Sequence, residues 1–502
     1  MIFIENILKE LNNNKGWAFC IEDTYYSYSE LNNRVTGIIS ELNNYSSFLK
    51  GKKVAVVCTN DINTYASLLA CWISGYAYVP LGLQNPDERN LDILKDAEIG
   101  VILSTKNLDP VTYVNYKVIL TTSVKISKTS TIINGNIGAD ALAYVLFTSG
   151  STGKPKGVPI TFKNLSAFLN AFENSPILYT SKDKCLQMYD LTFDVSIASF
   201  LNAMLHGCCI YTVSDKGVKY LNVLKTIHKY KVEILQIVPS IIKLGAPLLS
   251  RLDFSHVKFC IVSGEATTYD LLEKIEVLMP NAKIYNYYGP TEATIYCSYH
   301  LYNETKPKLY NGMLALGKSF KGISFEIVNP DTLIKVEKGT KGELLISGNQ
   351  VTKGYLNLPE KNKVSFVRIE INGESKIYYR SGDMCYEDDD NDFYYCGRFD
   401  NQVKVQGFRI ELSEIEFKVL ELFKINNVAV TYTNKTDTVE IVLVVETKNS
   451  YLREEIIKEL KNELPLYMIP TKIVEIQDFP INTSSKIDRV KLKEYVIEYF
   501  KK

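Results

Sequence analysis

Residues 148–157 read Thr-Ser-Gly-Ser-Thr-Gly-Lys-Pro-Lys-Gly and combine hydroxyl groups, glycines and two lysines in a stretch of little bulk. They follow an apolar run, residues 141–147, that predicts a buried strand. Glycines let successive backbone N–H groups turn toward one point, and such a concavity suits an anion. The hydroxyls add donors, and Lys154 and Lys156 add positive charge. The stretch therefore predicts a polyphosphate-binding loop, with a plain Gly/Ser linker as the alternative.

The loop does not match the P-loop of nucleoside triphosphatases, which requires Gly, four residues and then Gly-Lys-Ser/Thr. Counting from Gly150, Pro155 stands where the second glycine is required. The order of residues instead resembles the phosphate loop of the adenylate-forming superfamily, which includes acyl-CoA synthetases, luciferases and the adenylation domains of nonribosomal peptide synthetases. The resemblance implies a catalytic role for Thr148. The ATP-binding residues that it implies in this loop are Thr148, Ser149, Gly150, Ser151, Thr152, Gly153 and Lys156.

A second group, Asn-Tyr-Tyr-Gly-Pro-Thr-Glu at 286–292, follows a predicted strand. An aromatic face can stack on a base, and a carboxylate can hold Mg²⁺ against phosphate oxygens. Alone, the group is a β-turn with a charged tip, but it is similar to the second signature of the family. The resemblance implies that Glu292 binds Mg²⁺ and is catalytic. The implied ATP-site residues are Asn286 for the adenine amino group, Tyr288 for stacking on the ring, Thr291 for phosphate, and Tyr287 and Gly289.

Three further motifs follow in the family's order. Asp383, in Arg-Ser-Gly-Asp, could accept hydrogen bonds from a ribose diol, with a tight turn capped by Asp as the alternative. The resemblance implies that Arg398 helps to hold the ribose and that Asp400 is the hinge between a large and a small domain. Lys486, in Ser-Ser-Lys-Ile-Asp-Arg, matches the catalytic, ATP-contacting lysine, although the family usually has Asn-Gly before it.

Asp194, in Thr-Phe-Asp, narrows the class within the superfamily. In the amino-acid-activating members that the chain resembles, an acid here lies in the acyl pocket, where a desolvated ammonium group needs a fixed anion. A helix N-cap is the plainer interpretation of Asp194. A small or modestly polar amino acid fits the implied pocket. Its residues are Asp194, Val195, Ala198, Gln236, Ile261, Ser263, Tyr287, Ile295 and Tyr296, with Lys486 beside them.

The composition excludes several classes of protein. The net charge of zero over 502 residues gives no basic field for nucleic acid or an anionic membrane. Ten cysteines without a Cys-x-x-Cys pair favour a reducing cytosol over a disulfide or metal framework. The four histidines lie outside every motif, so a Ser/His/Asp hydrolase is poorly supported. The apolar run 66–83 predicts a core helix and strand, and we expect a cytoplasmic monomer without a membrane span.

Strands alternate with helices up to about residue 300, which predicts parallel sheets covered by helices on both faces. One of these helices is predicted over 29–42, with Ser29 as its N-cap. Short strand-like runs then predict a small antiparallel sheet or β-barrel subdomain, and the acidic residues 387–392 indicate a hairpin turn rather than a metal site. The expected fold is α/β: two parallel α/β subdomains and a small barrel in an adenylation core, 1–399, followed by a mobile α+β lid domain, 400–502.

The resemblance covers essentially the whole chain. It implies ATP- and Mg²⁺-dependent activation of an amino acid as aminoacyl-AMP, followed by transfer to the phosphopantetheine of a holo carrier protein. Because the chain ends soon after Lys486, we expect a carrier in trans, with Lys404 or Arg409 near its docking face.

Two groups of stand-alone enzymes fit this description. They are D-alanine–D-alanyl carrier protein ligases and free-standing adenylation enzymes of peptide pathways. Ser263 stands where the former carry Cys. An acyl-CoA synthetase that uses CoA, and a non-catalytic nucleotide-binding protein, remain the alternatives.

Overall fold

The computed structural model describes residues 2–127, 137–150, 153–249, 251–303, 305–371, 373–434, 438–446, 453–481 and 487–501. Strands form at short runs rich in β-branched and aromatic residues. In chain order they are β1 (Trp17–Ile21), β2 (Thr24–Ser27), β3 (Lys53–Cys58), β4 (Ala77–Gly82), β5 (Val101–Ser104), β6 (Lys117–Leu120), β7 (Leu142–Thr148), β8 (Lys156–Thr161), β9 (Lys184–Gln187), β10 (Cys209–Thr212), β11 (Ile234–Ile237), β12 (Phe259–Ser263), β13 (Lys283–Tyr288), β14 (Ser298–Leu301), β15 (Leu309–Tyr310), β16 (Met313–Leu314), β17 (Lys318–Ser319), β18 (Ile323–Val328), β19 (Gly342–Gly348), β20 (Phe366–Ile371), β21 (Glu374–Glu387), β22 (Phe393–Arg398), β23 (Gln402–Val405), β24 (Phe408–Glu411), β25 (Asn427–Thr433), β26 (Val439–Glu446) and β27 (Lys472–Ile476).

Helices form where apolar residues recur with the helical period. In chain order they are α1 (Ile2–Asn13), α2 (Tyr28–Asn44), α3 (Ile62–Ile73), α4 (Asp87–Asp96), α5 (Phe162–Glu173), α6 (Val195–Leu205), α7 (Lys219–Tyr230), α8 (Pro239–Leu249), α9 (Tyr269–Leu278), α10 (Pro359–Ser365), α11 (Leu412–Phe423), α12 (Arg453–Glu463) and α13 (Arg489–Tyr499).

Helix α2 corrects one prediction about a cap. The N-cap is Ser27, not Ser29, because Ser27 and Glu30 form a capping box. In this arrangement the Ser27 hydroxyl accepts from the Glu30 N–H, and the Glu30 carboxylate accepts from the Ser27 N–H.

The chain divides into two compact units. The first comprises Met1–Leu83, Leu94–Leu146 and Gly157–Phe399, and the second comprises Gln84–Ile93, Phe147–Lys156 and Asp400–Lys502. The longest segment of the second unit begins at Asp400, the position predicted as the hinge. Most of the predicted phosphate loop belongs to the second unit, which sequence patterns did not indicate. The role of residues 400–502 as a mobile lid stays a prediction.

Two large sheets lie almost entirely in the first unit, as the alternating pattern predicts. One has the strand order β17-β14-β13-β12-β11-β9-β10-β1-β2, and the other has the order β6-β5-β3-β4-β7-β8. Strands β9 to β13 pair in parallel, and antiparallel strands lie at both edges of that sheet. Because parallel strands end at a common edge, the segments that follow β9, β11, β12 and β13 lie close together.

The subdomain after residue 300 is a small antiparallel sheet, as one of the two predicted forms has it, and the predicted barrel is wrong. Strands β18, β19, β21 and β20 form an antiparallel sheet in that order, with β22 paired to β21, and the described residues contain no closed barrel. Closure would need pairing between the outermost strands, and a pattern of short strands with turns does not encode that pairing. The hairpin prediction for the acidic residues is confirmed, since they connect β21 to β22.

A lysine neutralises the acidic hairpin. Nζ of Lys308 lies 3.1 Å from a carboxylate oxygen of Asp388, 2.8 Å from one of Asp390 and 2.6 Å from one of Asp392. The ammonium group thus takes the position that a metal cation would need. Among the described residues, no group of three His, Cys, Asp or Glu side chains is arranged to hold a metal ion.

The second unit has its own sheets and core. Strands β23 and β24 form a hairpin, and β25, β26 and β27 form a separate three-stranded sheet. Apolar residues of α11, α12 and that sheet pack into one core cluster, and residues of α13 pack on the opposite face. This arrangement is the small α+β domain that the sequence predicts.

All ten cysteines are free thiols, and eight of them are buried. Burial raises the pKa of several of these thiols, including Cys58, Cys71, Cys185 and Cys385, well above the ordinary value. In the part of the chain that the structure describes, no helix has both the length and the apolar character needed to cross a bilayer.

Candidate active site

Three predicted nucleotide-binding residues from three separate motifs meet in the first unit. The Tyr288 hydroxyl donates to Oδ2 of Asp383 over 2.5 Å. Nη1 of Arg398 donates to Oδ1 of the same carboxylate over 2.5 Å. Asp383 and Arg398 are direct neighbours in the register of β21 and β22. A carboxylate held at both oxygens is a preorganised acceptor, which suits the predicted contact with a ribose diol.

The environment of this group fixes its protonation and orientation. Burial, together with the charge of Asp383, raises the pKa of Tyr288 well above its ordinary value, so the phenol remains a donor. Ser381 supports the carboxylate from the backbone side, because its hydroxyl accepts from the Asp383 N–H over 3.0 Å and donates to the Leu344 carbonyl over 2.7 Å. Ser381 lies in the predicted motif but was assigned no role from sequence.

Asn286 lies on β13, two residues before Tyr288. Its Nδ2 donates to the carbonyl oxygen of Ala315 over 2.8 Å, and the side chain is buried. This bond fixes which end of the amide donates. The amide oxygen is then the acceptor that contact with an adenine amino group requires.

Glu292 lies in a single turn of 3-10 helix, Thr291–Ala293, and is completely buried, whereas Thr291 is partly exposed. Oε1 of Glu292 accepts from the Tyr355 hydroxyl over 2.8 Å. A single carboxylate oriented by a phenol fits Mg²⁺, which takes few protein ligands and keeps water and phosphate oxygens around it. Tyr355 was not predicted, because a tyrosine between Gly354 and Leu356 carries no sequence signal of this contact.

Gly289 is the point of closest backbone approach in this motif. A Cβ there would lie 2.3 Å from the Ile295 carbonyl oxygen and 2.7 Å from the Tyr296 Cα. We therefore expect Gly289→Ala to lower the free energy of unfolding by about 1–3 kcal/mol and to weaken ATP binding. Denaturant titration measures the first effect. Gly138→Ala is the control, because a Cβ there meets no atom within 4 Å; equal effects of both variants would contradict the steric explanation.

A polar network connects three of the predicted substrate-binding residues. The Tyr296 hydroxyl donates to Oε1 of Gln236 over 3.2 Å and lies 3.0 Å from Oγ of Ser263. The Tyr189 hydroxyl lies 3.4 Å from the same Ser263 oxygen. The side chains of Gln236, Ser263 and Tyr296 are buried. These three predicted positions therefore lie together in the structure, and Tyr189, which follows β9, joins them.

Asp194 stands at the N-cap position of α6, but its side chain makes no capping hydrogen bond. The residue is 7% exposed. Burial raises the pKa of the phenols of Tyr78, Tyr144 and Tyr296 well above the ordinary value, and the negative charge of Asp194 raises it further. The carboxylate therefore lies among buried phenols and close to the polar network. The N-cap interpretation is right about the position of Asp194, but the capping hydrogen bond that it implies is not formed.

The remaining predicted pocket residues are apolar or aromatic and differ in burial. Tyr287 is 1% exposed, and its ring packs against Phe172, Tyr296, Tyr299 and Phe320. Tyr287 is thus the centre of a buried aromatic cluster, and its contact with ATP stays a prediction. The others are Ala198, Ile261 and Ile295, which are buried, and Val195, which is half-buried.

The phosphate loop is described within the second unit, where it contacts the residues around the start of α11. The Gly150 N–H donates to Oε2 of Glu414 over 3.0 Å, and the Lys156 ammonium lies 3.8 Å from Oε1 of Glu411. Oγ of Ser149 donates to the Arg409 carbonyl over 3.1 Å and accepts from the Glu411 N–H over 3.2 Å. Carboxylates of the chain itself therefore bind the groups that were predicted to bind phosphate.

Further contacts support this arrangement. Glu414 is completely buried, and its Oε1 accepts from Nη1 of Arg89 over 2.6 Å. A Cβ at Gly153, whose φ is +79°, would lie 2.4 Å from the Phe417 ring.

Oγ1 of Thr148 is buried and has no hydrogen-bond partner among the described residues. The other predicted members of the site, Ser151, Thr152 and Lys486, lie outside the described residues.

Asp400, the predicted hinge, begins the longest segment of the second unit. Its Oδ1 accepts from the Gln402 N–H over 3.1 Å, and Oε1 of Gln402 accepts from Nε of Arg409 over 2.8 Å. Lys404 is exposed, whereas Arg409 is half-buried. Lys404 is thus the more accessible of the two predicted docking residues.

Comparison with known proteins agrees with this architecture. Delta-poly-L-ornithine synthetase of Acinetobacter baumannii (strain AB307-0294) is 29% identical over 457 residues, which are 89% of this chain and 33% of that protein. Bacitracin synthase 3 of Bacillus licheniformis is 29% identical over 484 residues, which are 94% of this chain and 7% of that protein. The chain thus spans a third or less of the length of these relatives.

Two solved structures have the same fold. The Vibrio cholerae adenylation domain AlmE, in complex with glycyl-adenosine-5'-phosphate, has a TM-score of 0.86 at 22% identity, covering 98% of this chain and 97% of that one. NpsA-ThdA, an artificially fused adenylation–PCP di-domain from Klebsiella oxytoca, has a TM-score of 0.78 at 22% identity, covering 99% and 97%.

The family model for AMP-binding enzymes matches residues 10–356. That range includes the phosphate loop, Asp194 and the motif around Tyr288 and Glu292, and it ends one residue after Tyr355. The chain therefore belongs to the family of AMP-binding enzymes, the adenylate-forming ligases.

Proposed function

We propose that the protein uses ATP to activate an amino acid as aminoacyl-AMP and then transfers the aminoacyl group to the phosphopantetheine thiol of a separate carrier protein. The observation that carries the amino-acid part is Asp194. Asp194 is buried at the start of α6, and its charge acts on Tyr296 of the buried polar network. A desolvated α-ammonium group needs a fixed anion, and this carboxylate provides one beside the predicted pocket. The AlmE complex with glycyl-adenosine-5'-phosphate supports the same substrate class.

In the first half-reaction, a carboxylate oxygen of the amino acid attacks the α-phosphorus of ATP, and the bond to the pyrophosphate oxygen breaks. The protein contributes position and charge. Asp383 and Arg398 hold the ribose, Asn286 holds the adenine, and Asp194 holds the ammonium group. Mg²⁺, when bound at Glu292, neutralises charge on the phosphate oxygens.

In the second half-reaction, a thiol attacks the acyl carbon, the bond to the AMP oxygen breaks, and the thiol proton is released. The adenylation–PCP fusion among the similar structures supports a carrier-bound thiol as the acceptor. Within this proposal, a D-alanyl carrier protein ligase and a free-standing adenylation enzyme of a peptide pathway remain two candidates. Gln236, Ser263 and Tyr296 line the pocket with polar groups, which favours a small or modestly polar side chain.

The test is isotope exchange between pyrophosphate and ATP, with each proteinogenic amino acid and with D-alanine, D-serine and β-alanine. We expect strong exchange with one amino acid or a few of similar size. Carrier loading is then measured with holo carrier protein and, separately, with CoA. Exchange only with fatty or aryl acids, or efficient thioester formation with CoA alone, would overturn the proposal in favour of an acyl-CoA synthetase.

Lys486 allows the two half-reactions to be separated. Lys486→Ala removes a cation from the charge that develops on the phosphate and carboxylate oxygens, so adenylate formation should slow by roughly two to three orders of magnitude. Transfer from preformed aminoacyl-AMP to the carrier should change much less. Single-turnover measurements of each step make the comparison, and equal loss in both steps would contradict a role confined to adenylation.

A further inference from the structure

The turn between Glu292 and Tyr296 has a strained backbone. Thr294 has φ +57° and Ile295 has φ +72°. Both residues are β-branched, and such residues rarely adopt positive φ because the branched side chain crowds the backbone. Two adjacent residues of this kind persist only where surrounding contacts hold them. The turn connects the predicted Mg²⁺ ligand to Tyr296 in the polar network of the pocket.

Gln350 supplies those contacts. Its Nε2 donates to the Tyr296 carbonyl over 2.7 Å, and it lies 3.3 Å from the Ala293 carbonyl oxygen and 3.5 Å from that of Thr294. In return, the Thr294 hydroxyl donates to the backbone carbonyl of Gln350. One side chain therefore holds carbonyl groups on both sides of the strained pair.

Gln350 is itself fixed in place. It is 2% exposed, and Nδ2 of Asn164 donates to the carbonyls of its neighbours, Asn349 over 2.7 Å and Val351 over 3.1 Å. Three carbonyl oxygens around Nε2 determine the orientation of the amide. Oε1 of Gln350 is buried and has no hydrogen-bond partner among the described residues. The side chain is thus specialised as a donor to this turn.

We propose that Gln350 is a positioning residue for amino-acid activation, which sets the turn 293–296 and through it the place of Tyr296 in the pocket. The assignment of a substrate to this turn rests on the proposed function. Gln350 touches neither nucleotide nor amino acid in this scheme. Because it acts through Tyr296 in the amino-acid pocket, we expect its replacement to change the affinity for the amino acid.

Two isosteric variants test the role. Gln350→Met removes the donor, and Gln350→Glu turns an acceptor toward the same carbonyls. We expect the KM for the amino acid to rise at least roughly tenfold in both variants, with the KM for ATP unchanged and a smaller change in kcat. The Gln350→Glu variant should recover as the pH falls, because a protonated carboxyl regains a donor. An unchanged amino-acid KM, or a fall in kcat alone, would overturn the proposal.

Asn222→Asp is the matched control, because Nδ2 of Asn222 also bridges two loop carbonyls, those of Ser214 and Lys216, over 3.0 and 2.7 Å. It should leave the KM for the amino acid, the KM for ATP and kcat unchanged.

Hydrogen exchange gives a readout that needs no substrate. The amides of residues 293–297 should exchange faster in Gln350→Met than in the wild type. Unchanged exchange would overturn the role of Gln350 even if the wild-type protein activates no amino acid.

Discussion

Asp194→Asn is expected to reduce amino-acid-dependent pyrophosphate exchange by roughly two to three orders of magnitude. The amide has the shape of the carboxylate but no charge, so the ammonium group of the substrate would enter a buried site without its counter-ion. An uncompensated buried charge costs about 3–5 kcal/mol. ATP binding should be nearly unchanged, because the contacts of Asp383 and Asn286 do not involve α6.

Asp190→Asn is the matched control for this prediction. Asp190 is exposed and accepts from the Thr192 N–H and hydroxyl, contacts that an asparagine oxygen can keep. Equilibrium binding of ATP and pyrophosphate exchange should both remain at wild-type values in this control. If Asp194→Asn exchanged as fast as the wild type, Asp194 would not be the ammonium site, and the amino-acid proposal would lose its main support.

Glu414→Gln is expected to tighten ATP binding roughly tenfold and to slow carrier loading from preformed aminoacyl-AMP by about two orders of magnitude. In the described conformation, the Gly150 N–H and Lys156 contact carboxylates, and they cannot hold a triphosphate at the same time. We infer that this conformation competes with bound ATP and favours the step that follows the release of pyrophosphate. Removing the charge weakens the bonds from Arg89 and Gly150 to this side chain. This destabilises the described conformation relative to the nucleotide-bound one by about 1.4–2.7 kcal/mol, which corresponds to the ten- to hundredfold changes.

Glu416→Gln provides a close control on the same helix. Glu416 accepts from Nη2 of Arg489 over 2.6 Å and from the Ala429 N–H over 2.9 Å. It therefore has the same two kinds of partner as Glu414, without contact to the loop. Its loss should lower stability without changing ATP affinity. ATP titration by calorimetry compares the variants, and parallel behaviour of both would mean that Glu414 acts on stability alone.

Much of the candidate nucleotide site could be proposed from sequence, because its residues occur in short motifs with distinctive chemistry. Tyr288, Asp383 and Arg398 come from three such motifs, and their side chains are in contact. Gln350, Tyr355 and Glu414 could not be predicted. Their side chains are of common types, and their roles arise from contacts with residues 54 to 264 positions away.

The fold shows the same division between local and distant information. Alternating strands and helices predict the parallel sheets, because hydrophobic periodicity is a local property. The barrel prediction failed because closure depends on pairing between distant strands. The placement of residues 147–156 in the second unit also depends on tertiary contacts, since the preceding residues of β7 belong to the first.

The cysteines of the protein bear on the selectivity of the chemistry. An aminoacyl-adenylate reacts with any accessible thiolate, so an enzyme that makes one risks acylating itself. Here eight of the ten thiols are enclosed, and burial keeps those of Cys58, Cys71, Cys185 and Cys385 protonated and therefore poorly nucleophilic. We expect the interior to keep these eight thiols away from an activated acyl group. Cys209 and Cys396, which are partly exposed, are then the thiols of the chain at which self-acylation would first be detected.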